Sequence, residues 1–236
     1  MYNTVRMSLR SQQKKERVVY MDFETTGLNI FQCEIMEVAL CDNIGHRYES
    51  FIQIDGPISD FVQRLTGITS DTLKTHGRPH KEVITNICNF INGKLGFLYD
   101  GDYDVNPASY IVGHNLLQFD LPLLNVQIHR CNTKNKLNKA NCLSISDKIK
   151  VIDTLIVAQK YYTIPDDPQQ PYKRKYSLEN LSATFNLKNR PTHRAMSDVL
   201  ATEEFLEVVQ NELTKHSRQN SIGYIYDDVM QYHKKV

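Results

Sequence analysis

The sequence predicts an α/β fold in which a mixed sheet is covered by helices. Three observations carry this. From residue 80 onward, short apolar strand-like runs alternate with helical patterns, which implies parallel pairing there. Ahead of them, two strand-like runs at residues 35–41 and 48–54 flank the tight connection Asn43-Ile44-Gly45-His46, so they should pair antiparallel. Finally, 236 residues with no internal repeat and no second core suit one α/β domain.

In order, residues 17–24 form the first strand, because Val18, Val19, Tyr20, Met21 and Phe23 are β-branched, aromatic or apolar. The antiparallel pair follows, and Pro57 ends the sheet on that side. Short helices are expected at 60–65 and 70–75, with Gly67 and Thr69 between them as stop and cap. Val83, Ile84, Ile87, Phe90 and Ile91 have helical spacing and end before Gly93. The Gly-, Asp-, Asn- and Pro-containing stretch 93–109 reads as a loop. Residues 110–114 are a short buried strand, and a helix with Pro122 in its first turn runs over 120–130. Residues 131–148 read as a surface insertion. Val151 and Ile152 form a further strand, with Asp153 as N-cap of the next helix. The Pro-rich loop 163–176 ends in a basic cluster, and Ser177 caps a short helix to residue 185. The last strong helix spans 197–213, with Val199, Thr202, Leu206, Val209 and Leu213 along one face. Three segments result: a basic N-terminal arm at 1–16, the main domain at 17–213 and a C-terminal extension at 214–236.

Composition narrows the function classes. The net charge of +1 excludes a globally polycationic binder, so any nucleic-acid contact must come from a local basic surface. Five cysteines without a CxxC pair read as reduced thiols of a soluble, intracellular protein. No apolar run approaches a membrane span, and the N-terminus lacks the apolar stretch of a secretory signal.

The chemistry-bearing residues are acids at element boundaries. Asp22 and Glu24 are i and i+2 on one strand, so they share a face. Two carboxylates that close repel, and a divalent cation relieves the conflict. The bland reading is an edge-strand pair in water. Asp120 opens a helix, where it is either an N-cap or a ligand. Asp198 lies in the first turn of the last helix, which also suits the helix dipole. His193 precedes Asp198 by five residues in a loop. It is a surface residue or a general base, since imidazole titrates near neutrality. His114 competes for that role, with a turn-orienting hydrogen bond as its alternative. Three separate segments ending in acid point to a carboxylate cage for hard divalent cations and to phosphoryl-transfer chemistry.

Taken together and in order, these motifs resemble the DEDDh 3′–5′ exonucleases, the class that includes epsilon-type proofreading subunits and RNase T. The first motif is Val19-Tyr20-Met21-Asp22-Phe23-Glu24-Thr25-Thr26-Gly27-Leu28. The second is Val112-Gly113-His114-Asn115 with Phe119-Asp120. The third is His193-Arg194-Ala195-Met196-Ser197-Asp198, the H-x4-D spacing of the histidine branch. Leu65-Thr66-Gly67-Ile68-Thr69 also matches, except that many epsilon-type members carry His where this chain has Thr66.

The resemblance implies a ribonuclease H-like fold with a five-stranded mixed sheet. It implies two Mg²⁺ ions, with Mn²⁺ as substitute. Asp22, Glu24 and Asp198 would hold the first, Asp22 would bridge to the second with Asp120 supporting it, and His193 would be the base. Thr25, Thr26, Leu28, Thr66 and Asn115 fall where the family holds the terminal nucleotide. The implied reaction releases nucleoside 5′-monophosphates from single-stranded 3′ ends, DNA in preference to RNA, as a proofreader beside a DNA polymerase or as a free-standing enzyme. RNA trimming, or a catalytically silent nucleic-acid- or polymerase-binding domain, are the alternatives. Lys173, Arg174 and Lys175, flanked by Tyr172 and Tyr176, would track a phosphate backbone or form a solvated loop. Lys134, Lys136, Lys139, Lys148 and Lys150 make a looser basic stretch.

Overall fold

The computed structural model describes residues 16–99, 101–136, 142–165, 174–217, 219 and 221–234. The expected arm before Glu16, Lys139, Tyr172 and Lys173 lie outside the described residues. The sheet has five strands in the order β3-β2-β1-β4-β5: β1 (Val18–Thr25), β2 (Ile35–Asp42), β3 (Arg47–Phe51), β4 (Tyr110–Gly113) and β5 (Lys150–Asp153). β2 pairs antiparallel with β1 and β3, while β4 runs parallel to β1 and to β5. This is the ribonuclease H-like mixed sheet.

Strand alternation makes β1 the seam between two cores. Val19, Met21 and Phe23 face helices α3 (His80–Ile91) and α4 (Asp120–Lys134). Val18 and Tyr20 face α5 (Thr154–Tyr161), α6 (Leu178–Thr184), α7 (Ala195–Ser217) and α8 (Ile222–His233). A smaller cluster of Met36, Ile58, Ile68 and Leu73 seats α1 (Asp60–Thr66) and α2 (Ser70–His76) beside the start of β2. Side chains close the helix starts: Thr69, Asp153 and Ser177, as the sequence implies, and also Ser59 each accept a backbone N–H of the first turn.

β2 is buried throughout, although it carries Glu37 and Asp42. Each acid has a cationic partner. Arg17 Nε donates to Asp42 at 2.8 Å, and Arg194 pairs with Glu37.

Four boundaries differ from the expectation. β3 stops at Phe51, because the chain changes partner there: the Ile52 amide still donates to Met36 O, while Phe51 and Gln53 bond the Arg78 backbone. α4 runs on to Lys134, since Ile128 and Cys131 bury on the core side. α7 starts earlier and ends later, at Ala195 and Ser217. The C-terminal segment contains α8, whose Ile225 and Val229 are buried in the second core. All five cysteines are free thiols, with Cys142 exposed and the other four buried.

Candidate active site

The site forms at the C-terminal end of β1, where the starts of α4 and α7 converge from opposite faces of the sheet. Asp22 and Glu24 project toward the α7 side, as their register with Val18 and Tyr20 requires. The ladder to β2 slips between Glu24 and Thr25, a bulge that ends regular pairing beside the site.

Asp120 is not an N-cap. The cap position of α4 is Phe119, which makes no side-chain cap bond. The Asp120 carboxylate is instead buried and accepts backbone N–H groups of Asp120 and of Phe23 on β1. Asp198, in the first turn of α7, accepts the Thr192 amide at 3.0 Å and the Ser197 hydroxyl at 2.9 Å, both through Oδ1.

Electrostatics show what the convergence costs. Burial pushes Asp22 well above the ordinary carboxylate range, and Asp120, Asp198, Glu24 and Glu37 add repulsion. Glu24 is pushed up to about 8 by burial and by Asp198, Glu37 and Asp120, against the pull of Arg194. Asp120 is raised to about 8, chiefly by burial. Asp198 is raised by burial, although its hydrogen bonds from Ser197 and Thr192 oppose the shift.

His193 has backbone φ of 55°, a left-handed conformation that a non-glycine residue adopts at some cost. Its Nε2 lies 3.3 Å from Glu179 Oε1 on α6. One ligand atom from each of Glu24, His193 and Asp198 falls within 4.8 Å of the other two. Hard carboxylate oxygens that repel one another, with an imidazole at that spacing, fit a divalent cation.

His114 differs from His193. Burial lowers its pKa to about 4, so the ring is neutral at pH 7. Its Nδ1 meets Thr154 Oγ1 at 3.1 Å, and the Tyr176 backbone hydrogen-bonds the ring. It therefore ties the loop before α6 to the end of β4. Asn115, with φ of 61°, is held by its amide donating to Asp153 Oδ1 at 2.9 Å.

Asp22, Asp198, His193, His114 and Asn115 line one cleft of about 890 Å³, whose lining also includes Arg174 and Lys175. Thr25, Thr26, Leu28 and Thr66 are not in that lining. Thr25 donates its hydroxyl to Gly27 O, and Thr26 Oγ1 accepts the Glu34 amide. Leu28 is 82% exposed, so it is not packed on the core. Thr66 is buried at the end of α1, donating to Val62 O and accepting the Ile68 amide.

Sequence reasoning overlooked Glu37, Arg194 and Glu179. Glu37 faces Glu24 across the β1–β2 ladder and accepts both Arg194 Nε and the Ala195 amide, which fixes the start of α7. An acid inside the apolar run 35–41 was the readable signal.

The Exonuclease family RNase_T matches residues 19–206. The chain belongs to this family. It is thus a DEDD 3′–5′ exonuclease and a phosphodiester hydrolase. Among curated relatives, a PolC-type DNA polymerase III from Caldanaerobacter subterraneus is 27% identical over 81% of the chain, and one from Lactococcus lactis is 27% identical over 90%. The chain spans 11% of the length of each. Among solved structures, E. coli exonuclease I bound to a dT13 oligonucleotide shares the fold with a TM-score of 0.66 and 17% identity, covering 85% of this chain and 42% of that one. The zinc-ion-bound form of the E. coli exonuclease I–ssDNA complex also has a TM-score of 0.66 and 17% identity, covering 92% and 43%. Among the described residues, no helix is long and apolar enough to cross a membrane.

Proposed function

We propose that this exonuclease trims single-stranded DNA from the 3′ end and releases nucleoside 5′-monophosphates. The observation that carries the reading is the convergence of Asp22, Glu24, Asp120 and Asp198, each raised in pKa, around a loop histidine. Support for DNA comes from the fold shared with an exonuclease whose structure holds dT13. A frayed primer terminus presented by a DNA polymerase is a 3′ end of the same kind, so proofreading is included.

Asp22, Glu24 and Asp198 would hold one Mg²⁺, and Asp22 with Asp120 a second, Mn²⁺ serving as substitute. Such ions supply charge neutralisation and Lewis-acid polarisation at the scissile phosphate. The chain's own residues do the rest. His193 takes the proton of the attacking water. Glu179 Oε1, 3.3 Å from Nε2, orients the ring. His114, neutral and doubly bonded, keeps the cleft wall in place. Asn115 and the exposed Leu28 bear on the terminal nucleotide, with Thr25, Thr26 and Thr66 shaping the turns beside it.

The test is a gel comparing 5′-labelled single-stranded DNA, RNA and blunt duplex, each with Mg²⁺. Stepwise shortening from the 3′ end, fastest on single-stranded DNA, is expected. Faster RNA trimming would move the substrate to RNA. No mononucleotide from any end, with Mg²⁺ or Mn²⁺, would leave a silent nucleic-acid-binding domain.

A further inference from the structure

We propose that Arg174 and Lys175 form a docking wall for backbone phosphates upstream of the scissile bond, so the cleft grips a strand rather than one terminal nucleotide. This rests on the single-stranded DNA reading above.

The cleft volume, about 890 Å³, lies near the top of the range for small-ligand pockets, about 300–1,000 Å³. One part of its lining is acidic, with Asp22, Asp198 and Glu179. Arg174 and Lys175 are its lysine and arginine side chains among the described residues. A chain of net charge +1 has no global field to draw in a polyanion. Attraction must be local, and this pair supplies it inside the cleft itself.

The two cations sit on a fixed turn. Ser177 donates its amide to Arg174 O at 2.9 Å, and Asn180 Nδ2 donates to Lys175 O at 2.6 Å. Tyr176 donates its hydroxyl to Tyr162 O at 3.1 Å. The Tyr176 backbone bonds the His114 ring, which is anchored on Thr154. The wall is thereby tied to the loop that carries Asn115. A strand whose 3′ end meets the carboxylates then runs past Tyr176 toward Arg174 and Lys175.

Salt dependence reads this directly, because each phosphate contact on a single strand contributes about 0.7 to the slope of log Kd against log salt. Binding of fluorescent dT20 is measured with Mg²⁺ in the Asp22→Asn background, where the strand stays uncut. Adding Arg174→Ala and Lys175→Ala should lower the slope by about 1.4. Adding Lys188→Ala and Lys215→Ala, outside the cleft, should leave it as it was. In the active enzyme, the first pair should cut the ratio of kcat/KM on dT20 to that on thymidine 5′-monophosphate p-nitrophenyl ester by about tenfold. An unchanged slope, or an equal drop in the control pair, overturns the wall. Wild-type protein that binds dT20 with the full slope yet releases no mononucleotide would instead sink the proposed activity and leave the wall standing.

Discussion

Asp22 is buried among like charges, since Asp120, Asp198, Glu24 and Glu37 all bear on it. Asp22→Asn should therefore do two opposite things. Turnover on dT20 should fall to near background, because the proposed ligand common to both ions would be lost. The metal-free protein should gain stability above neutral pH, because one buried charge is gone; about 1 kcal/mol corresponds to roughly 2–4 °C in Tm for a chain of this size. A melt in EDTA checks the second effect, and a lower Tm for the variant would contradict the repulsion. His193→Ala should cost about 10²–10⁴-fold in turnover while leaving dT20 bound. His114→Ala should act through the wall it anchors, seen as weaker dT20 binding. If His114→Ala instead matched the His193→Ala loss in kcat with binding intact, the base would be misassigned.

At the scale of elements, two buried acids on β2 hold the site from behind. Glu37 clamps the start of α7 through Arg194 and the Ala195 amide. Asp42 anchors the other end of the strand, accepting from Arg17 and from the His46 amide. Arg17 also reaches the carbonyls of Phe90, Ile91 and Asn106, so it ties β2 to α3 and the loop beyond. Asp42→Ala would leave that guanidinium buried without its counter-charge and should cost about 3–5 kcal/mol by urea unfolding. Burial alone would raise the Asp42 pKa, but hydrogen bonds from His46 and Arg17 outweigh it and hold the carboxyl below its usual range. Its stabilisation is thus complete above the unfolded value, about 3.9, and is lost as pH falls through the folded one. Urea unfolding from pH 5 downward should show this loss in the wild type and less of it in Asp42→Ala.

These buried pairs also mark the limit of what was legible in the chain. β1, β2, β4 and β5 were readable from apolar runs bounded by turns, and the four acids from their places at element ends. The Arg194–Glu37 pair joins residues 157 apart, and no local pattern announces it. β3 ends sooner than its apolar run suggests: Ile52 and Ile54 continue the run, whereas Phe51 and Gln53 turn to bond the Arg78 backbone. α4 was cut short because Cys131, Asn132 and Thr133 are weak helix formers, whereas burial of Ile128 and Cys131 favours continuation. α8 was legible and missed: Ile222, Ile225 and Val229 have helical spacing.

For the whole molecule, the raised carboxylates set a pH dependence opposite to that of Asp42. A carboxyl with a raised folded pKa binds protons more readily folded than unfolded. Metal-free stability is therefore greatest near pH 4 on this account and declines as pH rises through about 8, where Glu24 and Asp120 ionise. Mg²⁺ or Mn²⁺ should flatten the decline by favouring the ionised cage. A Tm–pH profile in EDTA that rises toward pH 9, or one that divalent ions leave unchanged, would count against the cage.

Direct counting of bound Mn²⁺ by electron paramagnetic resonance probes the central claim most closely. Near pH 9 the wild-type chain should take up about two ions. Uptake should fall toward pH 6 as the carboxylates protonate, and Asp22→Asn should bind fewer ions at every pH. No uptake at any pH, or equal uptake by wild type and Asp22→Asn, would contradict it.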